Sequence, residues 1–151
     1  RVSVVDDRED WANPKRFPDA SEIHVIDYEP NMEILAPIPT IITSTTYVVI
    51  TTWGYDLPAL EQALDAKPAF IGLVASPIKA RELFQRLLSK GISADTLRQV
   101  HTPAGLDIGA ESPAEVALSV LAEIISTQRD ASGTALRVER GQILEKLLSK
   151  A

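Results

Sequence analysis

A chain of 151 residues with 45% apolar and 24% charged side chains is long enough to bury the core of one soluble domain. Its net charge of −6, without a basic cluster, argues against a nucleic-acid partner. The absence of cysteine excludes disulfides, thiolate metal sites and a cysteine nucleophile within this sequence. No apolar stretch reaches membrane-spanning length and no signal-like start is present, so we expect a cytoplasmic location and no membrane partner.

Short β-branched or apolar runs, each followed by turn residues, predict the strands. These runs cover residues 2–6, 22–27, 46–51 and 69–75, and Val100-His101 is a brief fifth candidate. The run 69–75 has no polar alternation, which is typical of a strand covered on both faces of a parallel sheet.

Helical periodicity separates these strands. It predicts helices over residues 57–66, 77–90, 94–98, 114–125 and 136–148, with one further turn over 30–35. Ser76-Pro77, Ser93 and Ser112-Pro113-Ala114-Glu115 are helix-start signals, the last of them a capping box. In the helix 114–125 only Glu115, Ser119 and Glu123 are polar, so we expect this stripe to face water and the rest to be buried.

Strands that alternate with helices predict an α/β fold, a doubly wound parallel sheet of the Rossmann type. Asp6-Asp7 directly follows the first strand, as an acidic residue follows the second strand of a dinucleotide-binding fold. The sequence contains no G-x-G-x-x-G, so we expect the first strand and its phosphate loop to lie upstream of Arg1. The predicted strand order is therefore 3-2-1-4-5 with the place of strand 1 vacant or borrowed. Residues 1–128 form this domain, 129–133 a linker and 134–151 an amphipathic C-terminal helix.

Three stretches of the chain resemble the C-terminal Rossmann-type domain of the XdhC/CoxI family, accessory proteins of xanthine dehydrogenase and carbon monoxide dehydrogenase. They are Val4-Val5-Asp6-Asp7-Arg8 with Arg16-Phe17-Pro18-Asp19-Ala20, then residues 70–79, and then residues 101–110 with the capping box. The chain differs from the family pattern at Pro77-Ile78, where a basic pair is usual, and at Trp53 and Tyr55, where a histidine is often found.

Seven residues are candidate binding residues. Asp6 and Asp7 suit the hydroxyls of a ribose, and Ser76 and Lys79 suit an anion at a helix N-terminus. His101, Gly105 and Asp107 share a glycine-containing loop that suits a close approach to a ligand. Each set also has a purely structural interpretation. The aspartates can be a solvated strand end, the serine and lysine a helix cap with a surface lysine, and the last three residues a loop that binds no ligand. We assign no catalytic residue and, with two histidines and no clustered acids, no metal site.

The resemblance implies maturation or insertion of the molybdenum cofactor, with NAD(P) or molybdopterin as the cofactor faced by this domain. It implies a molybdenum hydroxylase apoenzyme as partner, with a cysteine desulfurase as a second partner. Two alternatives stay open: the cofactor domain of an NAD-dependent oxidoreductase, and an assembly module. Without the glycine loop we expect weak or no NAD binding by this chain alone. The apolar helices predict a homodimer.

Overall fold

The computed structural model describes residues 1–26, 38–135 and 145–149. The chain divides into two compact units, Arg1–Ala104 and Gly105–Ala151. The helical turn predicted over residues 30–35 lies outside the described residues, as do Leu136, Ile143 and Leu144 of the predicted C-terminal helix. The domain boundaries expected from the sequence stay predictions.

Parallel strands form two sheets in the described part of the first unit. In one sheet β1 (Ser3–Asp6) pairs with β2 (Glu22–Val25). In the other, β3 (Tyr47–Ile50) pairs with β4 (Phe70–Leu73), which pairs with β5 (Val100–His101). In the predicted order 3-2-1-4-5, β1 and β2 correspond to strands 2 and 3, and their observed pairing agrees with that order. Among the described residues, no hydrogen-bonded ladder joins β1 to β3. The predicted α/β class and the parallel pairing are confirmed.

Four helices of the first unit lie within the described residues. They are α1 (Ile38–Ile41), α2 (Asp56–Ala66), α3 (Pro77–Ser89) and α4 (Ala94–Leu97). The predicted caps are confirmed: Ser76 Oγ accepts a hydrogen bond from Lys79 N at 3.3 Å, and Ser93 Oγ accepts one from Thr96 N at 3.1 Å. These hydroxyls satisfy backbone donors that a helix start leaves without an intrahelical acceptor.

The core of the first unit lies between α2, α3 and one face of the β3–β4–β5 sheet. Alternate strand residues point to this face because side chains alternate along a strand. The buried cluster comprises Ile50, Leu57, Leu60, Ala63, Leu64, Ile71, Leu73, Leu83, Leu87, Leu97 and Val100. This packing fixes the starts of α2 and α3 beside the carboxyl ends of the strands that precede them.

The opposite face of the sheet carries a row of rings. Tyr47 stacks on Phe70 with 6.2 Å between ring centroids, and Phe70 contacts His101 at 4.4 Å. Gly72 is the register partner of His101, and a Cβ at residue 72 would lie 2.8 Å from Phe70 Cε1. The missing side chain at Gly72 therefore makes room for the Phe70 ring to reach His101.

The second unit is built around α5 (Pro113–Gln128), which starts with the predicted capping box. Ser112 Oγ accepts a hydrogen bond from Glu115 N, and Glu115 Oε2 accepts hydrogen bonds from the backbone N–H groups of Ser112 and Glu111. The hydrogen bonds from Ser112 and then Glu111 lower the pKa of Glu115. These reciprocal bonds define the first turn of α5.

The orientation predicted for the polar stripe of α5 is wrong at Ser119 and Glu123, whereas Glu115 is exposed as predicted. Ser119 is buried, and Glu123 Oε2 accepts a hydrogen bond from Gly105 N at 2.7 Å, so these two residues face the loop that precedes the helix. Leu118, Leu121 and Ile125 are instead exposed, at 60%, 56% and 58%. The loop backbone supplies the donor that Glu123 needs, which is why the polar side turns inward.

The described C-terminal residues 145–149 form one helical turn, in which Ser149 N donates to Glu145 O at 2.9 Å. Across the described ranges, no helix combines the length and the apolar character that crossing a bilayer requires.

Candidate functional site

The carboxyl ends of β3, β4 and β5 meet at one edge of the sheet because the three strands are parallel. Residues 51–55 follow β3, Ser76 precedes α3 after β4, and Thr102 follows β5. In open α/β sheets, ligands bind at this edge. The edge is therefore the candidate site.

An ion pair with a buried carboxylate lies at this edge. Asp56 is the first residue of α2, its side chain is 2% exposed, and its Oδ2 is 2.6 Å from Lys79 Nζ. Lys79 lies in the first turn of α3 and is 38% exposed. The start of α2 also favours the negative charge of Asp56, since a helix N-terminus carries partial positive charge.

Sequence reasoning missed Asp56. The available signal was an acidic residue at the start of the helix that follows β3 after a five-residue loop. That signal gains a meaning only through the contact with Lys79, which is 23 positions further along the chain. Lys79, predicted to hold an anion, binds the carboxylate of Asp56. Ser76 is exposed and acts as the N-cap of the same helix.

Three buried polar atoms near this edge have no hydrogen-bond partner in the described protein: Asp56 Oδ1, Thr52 Oγ1 and Thr102 Oγ1. Thr52 lies two residues beyond β3, and Thr102 lies directly after β5. Trp53, in the same loop as Thr52, is 94% exposed.

Asp6 is the last residue of β1 and Asp7 follows it, so both lie at the strand end expected from the sequence, and both face Arg8. The guanidinium of Arg8 donates from Nε to Asp6 Oδ1 at 2.8 Å and from Nη2 to Asp6 Oδ2 at 2.9 Å, and Asp7 Oδ1 lies 3.9 Å from Nε. The hydrogen bonds from the Arg8 side chain lower the pKa of Asp6, so its carboxylate is charged at neutral pH. Asp6 retains acceptor capacity because each carboxylate oxygen has two lone pairs.

Arg8 also stacks on the ring of Trp11, as does Arg16. The Cζ atoms of Arg8 and Arg16 lie 4.6 and 3.7 Å from the centroid of the Trp11 ring. Guanidinium groups over an aromatic face are attracted by its negative potential. The acidic strand end thus belongs to an arginine–tryptophan cluster that the sequence analysis did not foresee.

The other three candidates differ in surroundings. His101 belongs to the ring row on the far face of the sheet, in contact with Phe70. Gly105 and Asp107 belong to the second unit. Gly105 has a φ of +112°, and its N–H binds Glu123 within that unit, whereas Asp107 is exposed. Ligand binding by these three residues stays a prediction.

Comparison with known proteins gives a consistent result. The model of the XdhC Rossmann domain family matches residues 1–124. The uncharacterized protein YqeB of Escherichia coli is 32% identical over 133 residues, covering 87% of this chain and 24% of YqeB. The molybdenum cofactor insertion chaperone PaoD of E. coli is 34% identical over 73 residues, covering 48% of this chain and 23% of PaoD.

A solved structure from Bacillus halodurans, titled as a xanthine dehydrogenase, matches with a TM-score of 0.64 and 28% identity. The match covers 89% of this chain and 37% of that one. The chain thus spans about a quarter of the curated relatives and little more than a third of the solved structure.

Proposed function

This chain belongs to the XdhC Rossmann domain family, and on that premise we propose that it serves the maturation of a molybdenum hydroxylase. In this role it is the nucleotide- or pterin-facing part of a factor that inserts the molybdenum cofactor, and it also contacts the receiving apoenzyme. The observation that carries the proposal is the similarity to PaoD, which is named as a molybdenum cofactor insertion chaperone. The role is one of binding and transfer, and we assign no bond-making step to this chain.

The geometry of the first unit supports a ligand-facing role. Polar side chains lie at the carboxyl ends of the strands, including the charged Asp6 at the end of β1 and the Asp56–Lys79 pair beside β3 and β4. The matches cover only about a quarter of each relative, so the remaining parts of the binding site are proposed to come from other segments of a longer protein. One such segment, which stays a prediction, is a first strand with a glycine-rich phosphate loop.

The exposed face of α5 supports a docking role. Leu118, Leu121 and Ile125 lie on adjacent turns and are each more than half exposed. Large apolar side chains grouped on a protein surface are a feature of interaction sites. We propose that the apoenzyme of the molybdenum hydroxylase binds this face, which is called the α5 face below.

We expect Leu121→Gln to weaken binding of the apoenzyme at least tenfold, because a polar amide replaces an apolar contact worth about 1.5–3 kcal/mol. Biolayer interferometry with the immobilised full chain and apoenzyme from molybdenum-starved cells measures this. Leu88→Gln is the matched control, because Leu88 is also about half exposed but lies on α3. Equal binding by the Leu121 variant and the wild type would contradict docking on the α5 face.

The homodimer expected from the sequence competes for the same surface and stays a prediction. Sedimentation of the Leu121→Gln variant separates the two occupants. Loss of a dimer with unchanged apoenzyme binding would assign the α5 face to self-association. The cysteine desulfurase partner and the cytoplasmic location likewise stay predictions.

A further inference from the structure

The unpartnered polar atoms at the carboxyl edge of the β3–β4–β5 sheet call for a physical explanation. Asp56 Oδ1, Thr52 Oγ1 and Thr102 Oγ1 are buried and make no hydrogen bond within the described protein. Buried polar atoms are normally hydrogen-bonded, because burial without a partner forfeits the bonds made to water. The cost is largest for a charged group such as the Asp56 carboxylate.

These atoms come from segments that the fold gathers at one edge. Thr52 and Asp56 flank the loop after β3, and Thr102 follows β5, which is separated from β3 by one strand. The ion pair between Asp56 and Lys79 joins the starts of α2 and α3. This edge is where α/β folds bind ligands, so a bound molecule is a reasonable partner for these atoms.

The chemistry of Asp56 restricts what that molecule presents. An ionised carboxylate only accepts hydrogen bonds, so the ligand must offer N–H or O–H donors, and a phosphate is unsuited to this position. Lys79 compensates the charge at Oδ2 and leaves Oδ1 available. The threonine hydroxyls can either donate or accept, so they suit a ring with both carbonyl and amino groups.

We propose that Asp56 recognises a 2-amino-4-oxopyrimidine ring, the ring of pterins, with Thr52 and Thr102 binding its remaining polar atoms and Lys79 positioning the carboxylate. This ring carries adjacent N–H donors, one of which can donate to Asp56 Oδ1 while Lys79 binds Oδ2. The assignment rests on the proposed function, from which a pterin is the expected source. Guanine nucleotides carry the same ring and are the second source to be tested.

Fluorescence provides the test. Trp11→Phe leaves Trp53 as the sole tryptophan, in the loop between Thr52 and Asp56. We expect neopterin to quench Trp53 in this full-length background and AMP, which lacks the ring, to have no effect beyond its absorbance. A stronger response to GMP than to neopterin would support the same ring with a nucleotide as its source. A response to AMP equal to that of neopterin, or no response to neopterin and GMP, would overturn the proposal.

Variants then assign the contact. We expect Asp56→Asn to weaken neopterin binding at least tenfold and Asp95→Asn, the exposed control that pairs with Arg98, to leave it within twofold. Thr52→Val removes a hydroxyl that binds nothing in the described protein, so it should leave the melting temperature unchanged or higher while weakening neopterin binding about fivefold. The threonine variant keeps the proposal testable if Asp56→Asn does not fold.

The results separate this proposal from the function on which it rests. Unchanged neopterin binding in both Asp56→Asn and Thr52→Val would overturn the assignment of Asp56, and apoenzyme binding to the α5 face would still stand. Failure of the wild-type chain to bind the apoenzyme, with neopterin binding lost in both variants, would contradict the docking role and leave the ring assignment in place.

Discussion

Lys79→Met is expected to lower the free energy of unfolding by about 2–3 kcal/mol. The substitution keeps most of the apolar stem of the side chain but leaves the Asp56 carboxylate buried without its cation. Removing one partner of a fully buried pair costs about 3–5 kcal/mol, and the 38% exposure of Lys79 admits water that reduces this cost.

Urea denaturation followed by circular dichroism measures this effect. Lys90→Met is the matched control, because Lys90 pairs with Glu61 on the surface and such pairs contribute about 0–1 kcal/mol. We also expect Asp56→Asn to cost less than Lys79→Met, since the released lysine can turn toward water whereas the released carboxylate cannot. Equal, small effects of Lys79→Met and Lys90→Met would contradict the buried pair.

Gly105→Ala is expected to destabilise the second unit by about 3 kcal/mol. Two independent causes add. The φ of +112° is a conformation that residues with a side chain rarely adopt, and a new Cβ would overlap Ser119 Oγ and lie 3.2 Å from Ser119 Cβ. Rotation about χ1 of Ser119 can move its Oγ away, but this breaks the hydrogen bond that Oγ donates to Val116 O. The Cβ and the backbone carbonyl carbon of Ser119, held by α5, stay at 3.2 and 3.3 Å from the new Cβ.

Amide hydrogen exchange within α5 measures the loss of stability of the second unit directly. Tryptophan fluorescence would not report it, because both tryptophans lie in the first unit. Gly109→Ala is the matched control: Gly109 also has a positive φ, +70°, but a Cβ there would meet nothing within 4 Å. We expect Gly109→Ala to lower the free energy of unfolding of the second unit by about 1 kcal/mol. Similar exchange rates in the two variants, together with weaker ligand binding only in Gly105→Ala, would contradict a structural role and support the predicted binding role of Gly105.

Local patterns made most of the first unit predictable. All five strands of the described first unit and the caps at Ser76, Ser93 and Ser112 were found because each depends on a few neighbouring residues. The vacant place in the strand order, predicted from Asp6 without a preceding glycine loop, stays a prediction. The orientation of α5 was not predictable in this way, because periodicity reveals a polar stripe but not whether water or Gly105 satisfies it.

The candidate site was less predictable because its main contacts are nonlocal. Ser76 and Lys79 were identified as a helix start that favours anions, but the anion at Lys79 is Asp56 of another helix. His101 was taken from a loop motif, and its contact with Phe70 depends on the register that sets Gly72 beside it. Such pairings require the fold itself, which a single sequence does not supply.

The molybdenum content of a client enzyme tests the proposed function most directly. Deleting the codons for this chain from the gene that carries it, and then purifying a molybdenum hydroxylase of the xanthine dehydrogenase type from the same cells, gives molybdenum per polypeptide by mass spectrometry. We expect a normal amount of polypeptide with at least a fivefold lower molybdenum content, restored when the deleted segment is returned. A hydroxylase with full molybdenum content in the deletion strain would contradict the maturation role.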